Sequence, residues 1–75
     1  MARILSFDAQ WDAEAGVWWA ECTGPEGIVT EAATVEALRE RLKLIVPDYL
    51  EAGGEAFDDL RIDLRVTVSD VIKAA

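Results

Sequence analysis

The spacing of apolar residues changes along residues 26–50, and this change is the sequence feature that most constrains the fold of the chain. A short strand-like segment is followed by apolar residues spaced three and four apart, the spacing of one helical face. The predicted apolar face consists of Val35, Leu38, Leu42, Ile45 and Tyr49. The opposite, charged face consists of Glu36, Arg39, Glu40 and Lys43. The pattern predicts a single amphipathic helix that needs a surface to cover.

The ends of this helix also have sequence signals. Thr34 stands at the N-cap position, where its hydroxyl can accept a hydrogen bond from an amide of the first turn. Gly53 and Gly54 are expected to end the helix. Pro47 falls inside the pattern and lacks an amide hydrogen, so we expect a kink there or a break into two parts.

The segments on either side of the helix alternate with a period of two. Leu5, Phe7, Ala9 and Trp11 share one face of the first segment, and polar residues share the other. Glycine-containing turns separate the segments before the helix. The predicted strands are residues 3–12, 17–23, 28–32 and 60–69. Residues 70–75 are expected to fray or to add a helical turn.

These elements predict one domain over residues 1–75, a two-layer α/β (α+β) fold of order βββαβ. A right-handed crossover through the helix places the fourth strand beside the first and parallel to it, which gives the sheet order 3-2-1-4. One face of the sheet is then uncovered. Trp18 and Trp19 are adjacent in a strand and point to opposite faces, so one of them lies on the uncovered face. An exposed tryptophan is a typical interface anchor, although it can also simply lie over its neighbours.

The composition argues against most kinds of site chemistry. The chain has no histidine, and a single cysteine, Cys22, cannot form an internal disulfide or a thiolate zinc site. Its glycines fit neither a phosphate-binding loop nor a dinucleotide fingerprint. We therefore expect no cofactor, no metal and no catalytic residues, and we interpret Cys22 as a buried structural thiol.

The charge distribution points to protein partners. Fifteen acidic and seven basic residues give a net charge of −8, which disfavours direct nucleic-acid binding. Seven acidic residues and no base lie between Arg3 and Arg39. One interpretation of this segment is a docking surface for a basic partner, and the other is an acidic surface that only keeps a small domain in solution. No apolar run reaches the roughly 20 residues that cross a membrane and no leader begins the chain, so we expect a cytoplasmic protein.

One enzymatic alternative remains, since βββαβ is also the opening half of the ribonuclease H fold. Enzymes of that fold bind two Mg²⁺ ions through carboxylates on the first strand, the helix and the fourth strand. The equivalent carboxylates here are Asp8, Asp63, Glu36 and Glu40. The helical pair lies on the predicted solvent face, so we do not expect the four to converge.

Three segments carry a family resemblance: WWAE at residues 18–21, GIVTEA at 27–32 and TVEAL at 34–38. Through these segments, residues 11–50 resemble the HicB-like antitoxin family. The resemblance implies a partial ribonuclease H-like fold without catalytic activity and a role in sequestering a small basic HicA-like toxin. Pro25 departs from the pattern, lying one place earlier than usual. Few residues follow the fourth strand, where full-length members carry a DNA-binding segment, so operator binding is not implied.

Two non-enzymatic hypotheses follow. The first is a HicB-like antitoxin or a degenerate relative, and the second is a self-associating domain without a toxin partner. A chain this short gains stability from association, and we predict a homodimer formed through the uncovered sheet face or the edge of the fourth strand. The predicted interface residues are Trp18, Trp19, Glu21, Glu26, Glu31, Arg61 and Arg65.

Overall fold

A computed structural model describes residues 2–74. Its elements are β1 (Ala2–Asp12), β2 (Val17–Cys22), β3 (Val29–Ala32), α1 (Val35–Ala52) and β4 (Asp59–Thr67). The four strands form one sheet in the order β3-β2-β1-β4. β1 is antiparallel to β2 and parallel to β4, and β2 is antiparallel to β3. This α+β architecture confirms the predicted βββαβ order and the predicted sheet order.

Local hydrogen bonds close the two turns of the meander. The carboxylate of Asp12 accepts from the amides of Glu14 and Ala15 at 3.1 and 3.2 Å, which is the Asx-type bonding that favours aspartate in turns. Gly16 and Gly27 adopt positive φ angles of 67° and 68°, where a side chain would be strained. These turns fix the β1–β2–β3 register.

The core lies between α1 and one face of the sheet, which we call the covered face. Leu5, Phe7, Ala9 and Ala20 are buried on the sheet side, and Cys22 is buried beside them as a free thiol. The half-buried side chains of Leu60, Ile62 and Leu64 on β4 pack at its border. The alternation predicted for the strands is therefore confirmed, and the thiol contributes to packing.

The buried face of α1 differs from the predicted one. Leu38 and Leu42 are buried as expected, but Val46 and Leu50 complete the row, and Tyr49 is 49% exposed. The Tyr49 hydroxyl donates to the Glu26 carbonyl at 2.7 Å. The prediction was wrong at Tyr49 because spacings of three and four both fit the sequence, and the phenol needs a polar partner that the core lacks.

Both ends of α1 are capped. The Thr34 hydroxyl accepts from the Ala37 amide at 3.0 Å, which confirms the N-cap. At the other end, Gly54 has φ 77°, its amide donates to the Glu51 carbonyl, and the Glu55 amide donates to the Leu50 carbonyl. This pair of bonds is a Schellman motif. The helix continues through Pro47 without a break.

The segment after β4 carries no regular secondary structure over residues 68–74, so the helical turn considered for the tail is absent there. Ala75, the end of that predicted segment, lies outside the described residues. β4 also ends two residues earlier than predicted, at Thr67. Within residues 2–74, no helix is both long enough and apolar enough to cross a bilayer.

Candidate functional site

The two neighbouring tryptophans separate onto the two faces of the sheet. Trp18 lies on the covered face, half-buried against the core, with its ring centroid 5.5 Å from that of Trp11. Trp19 lies on the face that the helix leaves uncovered, which we call the open face. It is half-buried there and is flanked across the ladders by Gln10 and Glu31. Trp19 is therefore the aromatic residue available to a partner on the open face.

The strand register places acidic and apolar side chains around Trp19. Successive rows of the open face cross all four strands from β3 to β4. One row contains Val29, Glu21, Asp8 and Arg65, and the next contains Glu31, Trp19, Gln10 and Thr67. Three carboxylates therefore lie within one or two positions of the indole, those of Glu21 and Glu31 on β2 and β3 and that of Asp8 on β1.

One exposed apolar side chain accompanies these acids. Val29 is 61% exposed and lies in the row next to that of Trp19. Ile4 is 52% exposed on the same face, but it lies three rows from Trp19, near the other end of β1. An aromatic residue with an apolar neighbour and a charged surround is a composition typical of a protein-binding patch. Neither Val29 nor Ile4 was predicted as an interface residue, because a lone apolar residue at a strand position looks like core until the register is known.

Along β4 the open face carries charges of both signs. The Arg61 Nε donates to the Asp63 carboxylate at 2.9 Å, and this hydrogen bond raises the pKa of Arg61. Arg65 lies opposite Asp8 in the β1–β4 ladder. The open face is therefore acidic towards β3 and mixed in charge at the β4 edge.

Glu26 does not join this surface, although it was among the predicted interface residues. It lies in the loop between β2 and β3 with a side chain only 12% exposed, and its carboxylate is 3.7 Å from Arg3 Nη2. Arg3 also forms an ion pair with Glu55, and that hydrogen bond is the main reason the pKa of Arg3 is raised. Glu26 therefore helps to join the β2–β3 loop to the segment after the helix.

The four carboxylates of the ribonuclease H alternative lie on opposite sides of the molecule. Asp8 and Asp63 occupy the open face, whereas Glu36 and Glu40 are exposed on α1 and bond Arg39 and Lys43. Within residues 2–74, no three acidic or cysteine side chains form a group that could hold a metal ion. The sheet separates the two pairs, so they cannot share one ion.

A cleft of about 470 Å³ opens at the end of β1, beside the first residues after β4. Its walls include the rings of Trp11 and Trp18 and the side chain of Asp70. Trp11 was predicted to share a face with Leu5 and Phe7, and it does lie on that side of the sheet, but it is half-exposed at the cleft. Two indoles beside a carboxylate provide a surface that suits a cationic side chain.

Comparisons with known proteins agree with this architecture. A crystal structure of a hypothetical protein from the extremely thermophilic bacterium Thermus thermophilus is 42% identical to this chain and superposes with a TM-score of 0.77. The similarity covers 93% of this chain and 100% of that one. No curated protein matches the sequence. The model of the family described as a domain of unknown function, DUF1902, matches residues 4–74, and the chain therefore belongs to this family.

Proposed function

We propose that this chain is a non-catalytic protein-binding domain whose open face takes up a small basic protein. The observation that carries the proposal is Trp19, which stands on the uncovered sheet face beside Glu21 and Glu31. A tryptophan supplies a large contact area at the centre of a patch, and the surrounding carboxylates select a partner of opposite charge.

The kind of partner follows from charge and from the family resemblance. With a net charge of −8, the chain attracts basic proteins over a longer range than the patch itself. The HicB-like motifs at residues 18–21, 27–32 and 34–38 support a small basic HicA-like ribonuclease as that partner. In this proposal, the chain is a HicB-like antitoxin or a degenerate relative, and it acts by covering the toxin's basic surface.

Calorimetric titration with a HicA-like ribonuclease from the same genome tests this proposal. We expect the double variant Glu21→Gln, Glu31→Gln to weaken binding by about tenfold or more, which corresponds to about 1.4 kcal/mol. Trp19→Ser should weaken it further because it removes the central contact.

The matched control is the double variant Glu14→Gln, Glu51→Gln. It also removes two negative charges, from exposed positions in the β1–β2 turn and near the end of α1, outside the strands that form the open face. Affinity within about twofold of the unmodified chain is expected for this control, since long-range attraction alone is worth little at physiological ionic strength. Equal losses in both double variants would show a general charge effect and no binding face.

The second candidate function is self-association without a toxin partner. The supporting observation is β4, a nine-residue edge strand that pairs only with β1 among the described strands. In this alternative the domain is a homodimer, and Trp19 contributes to contacts between copies or remains on a solvated surface.

The remaining alternative is a metal-dependent nuclease. This activity is incompatible with the proposal of a non-catalytic domain. We expect no cleavage of single-stranded RNA or DNA in Mg²⁺ or Mn²⁺, because Asp8 and Asp63 are not accompanied by a helix carboxylate on the open face. Cleavage by the purified chain that is lost in both Asp8→Asn and Asp63→Asn would overturn the non-catalytic assignment.

A further inference from the structure

The two edges of the sheet differ in how they meet solvent. β3 has four residues, whereas β4 has nine and runs in unbroken register with β1 from Asp59 to Thr67. Natural edge strands are usually short, or carry charged side chains, a proline or a bulge that hinders further pairing. The DLRIDLRVT sequence of β4 has no proline, lysine or glycine, and its ladder with β1 shows no bulge. Its charged residues are two aspartates and two arginines, so the edge does not carry the charge of one sign that would repel a second copy.

The sequence of β4 is self-complementary in charge. Read outwards from Ile62, Arg61 is matched by Asp63 and Asp59 is matched by Arg65, so each pair has one acid and one base. Leu60 and Leu64 form the remaining pair. An antiparallel copy of the same segment, centred on Ile62, therefore meets opposite charge at every charged position.

We propose that β4 pairs antiparallel with β4 of a second copy about a two-fold axis at Ile62, which joins two sheets into one of eight strands. This inference rests on the self-association proposed above and specifies its surface and register. In the paired edge, Arg61 lies opposite Asp63 of the copy and Asp59 lies opposite Arg65 of the copy. The two-fold axis of such an antiparallel pair is perpendicular to the sheet, so both helices lie on the same side of the joined sheet.

Charge selects this register over its neighbours. Residues directly opposite in an antiparallel ladder point to the same face, so permitted registers differ by two residues in their pairing. Centring the pair on Asp63 opposes Asp63 to itself and Arg61 to Arg65. Centring it on Arg61 opposes Arg61 to itself and Asp59 to Asp63. Like charges directly opposite one another destabilise a strand pair.

On the covered face, the β4 edge also carries apolar side chains that would contact the second copy. A groove of about 230 Å³ runs between α1 and β4. Its apolar lining residues are Val35, Leu42, Ile62, Leu64 and Val66, and Arg39 and Lys43 line it from α1. Ile62 and Leu64 are only half-buried, and Val66 is exposed. In the paired sheet, Ile62 meets Ile62 of the copy and Leu64 meets Leu60 of the copy, so the grooves of the two copies adjoin and their apolar walls lose water.

The first test measures mass by sedimentation equilibrium over a wide range of concentration. The unmodified chain should approach twice 8.2 kDa as concentration rises. The variant Asp59→Arg, Asp63→Arg and the variant Arg61→Asp, Arg65→Asp each place four like charges on the edge, and each alone should remain at 8.2 kDa. A mixture of the two variants should recover the dimer mass, since opposite edges now face each other. Recovery on mixing also shows that both variants are folded.

The second test fixes the register by oxidation of variants that each carry one introduced cysteine. Opposed residues of an antiparallel pair have Cα atoms about 4.5–5.5 Å apart, which suits a disulfide, whereas diagonal neighbours are about 7–8 Å apart. Ile62→Cys should therefore form a cross-linked dimer, and the matched variants Arg61→Cys and Asp63→Cys should not. Cys22 is buried and is common to all three.

The possible failures are distinguishable. A mass of 8.2 kDa at every concentration would overturn self-association itself. If both charge variants are still dimers, the dimer interface is not the β4 edge, although self-association itself is supported. A dimer that cross-links through Asp63→Cys or Arg61→Cys in place of Ile62→Cys would overturn the register centred on Ile62.

Discussion

The covered face and the open face of the sheet are built by alternate residues of the same strands, but their environments differ. On β1, Leu5 and Phe7 are fully enclosed beneath α1, whereas their neighbours Ile4 and Asp8 are exposed on the other side. The same division separates Trp18 from Trp19 on β2. Because successive side chains of a strand point to opposite faces of the sheet, one short strand contributes residues both to the core and to the exposed surface.

This difference indicates how a chain of 75 residues can fold and still keep a binding surface. A single helix can cover only one side of a four-stranded sheet, and the fully buried side chains of the sheet all lie on that side. The other side is therefore free to carry an aromatic residue with three carboxylates around it. If substitutions on the open face destabilise the chain as much as substitutions on the covered face, the two faces do not differ in their contribution to stability.

The largest effect is expected at Leu42, a buried residue on the side of α1 that packs against the covered face. Leu42 is 1% exposed, so Leu42→Ala leaves a cavity and should cost about 2–5 kcal/mol of unfolding free energy. Its matched control is Leu44→Ala on the same helix, where the side chain is 71% exposed and the expected change is within about 0.5 kcal/mol. Thermal or urea unfolding measures both. Similar losses in the two variants would mean that the helix face is misassigned.

A smaller effect is expected where the helix begins over the covered face. Thr34→Ala removes the hydroxyl that accepts from the Ala37 amide, and should cost about 1 kcal/mol. Ser69→Ala is the control, because Ser69 is exposed and lies outside every helix and strand. A urea midpoint for Thr34→Ala that coincides with that of Ser69→Ala would show that the cap contributes nothing to stability.

Most of the fold could be predicted from the sequence because its signals are local. Alternation gave the strands to within two residues, and Thr34, Gly53 and Gly54 defined the ends of the helix. The error at Tyr49 has a different origin, since the choice between Tyr49 and Val46 or Leu50 depends on how the helix is rotated on the sheet. A helix-face pattern alone does not fix that rotation.

The candidate site was only partly predictable because it depends on register between strands. The sequence required one of Trp18 and Trp19 to lie on the open face, but only the pairing of Trp18 with Trp11 and Ala32 shows which one. Glu26 looked like one more surface acid, yet its partner Arg3 is distant in sequence and comes close only through the fold. Ion pairs of this kind leave no periodic signal.

The division between a structural face and a binding face is tested most directly by urea unfolding of Trp18→Ser and Trp19→Ser side by side. Trp18 packs on the core and on Trp11, so its loss should approach the roughly 3 kcal/mol at the lower end of the range for buried aromatic residues. Trp19→Ser should cost about 1 kcal/mol, the span of strand propensity, and leave a folded chain. A loss for Trp19→Ser equal to or greater than that for Trp18→Ser would contradict the account, because the open face would then be part of what holds the fold together.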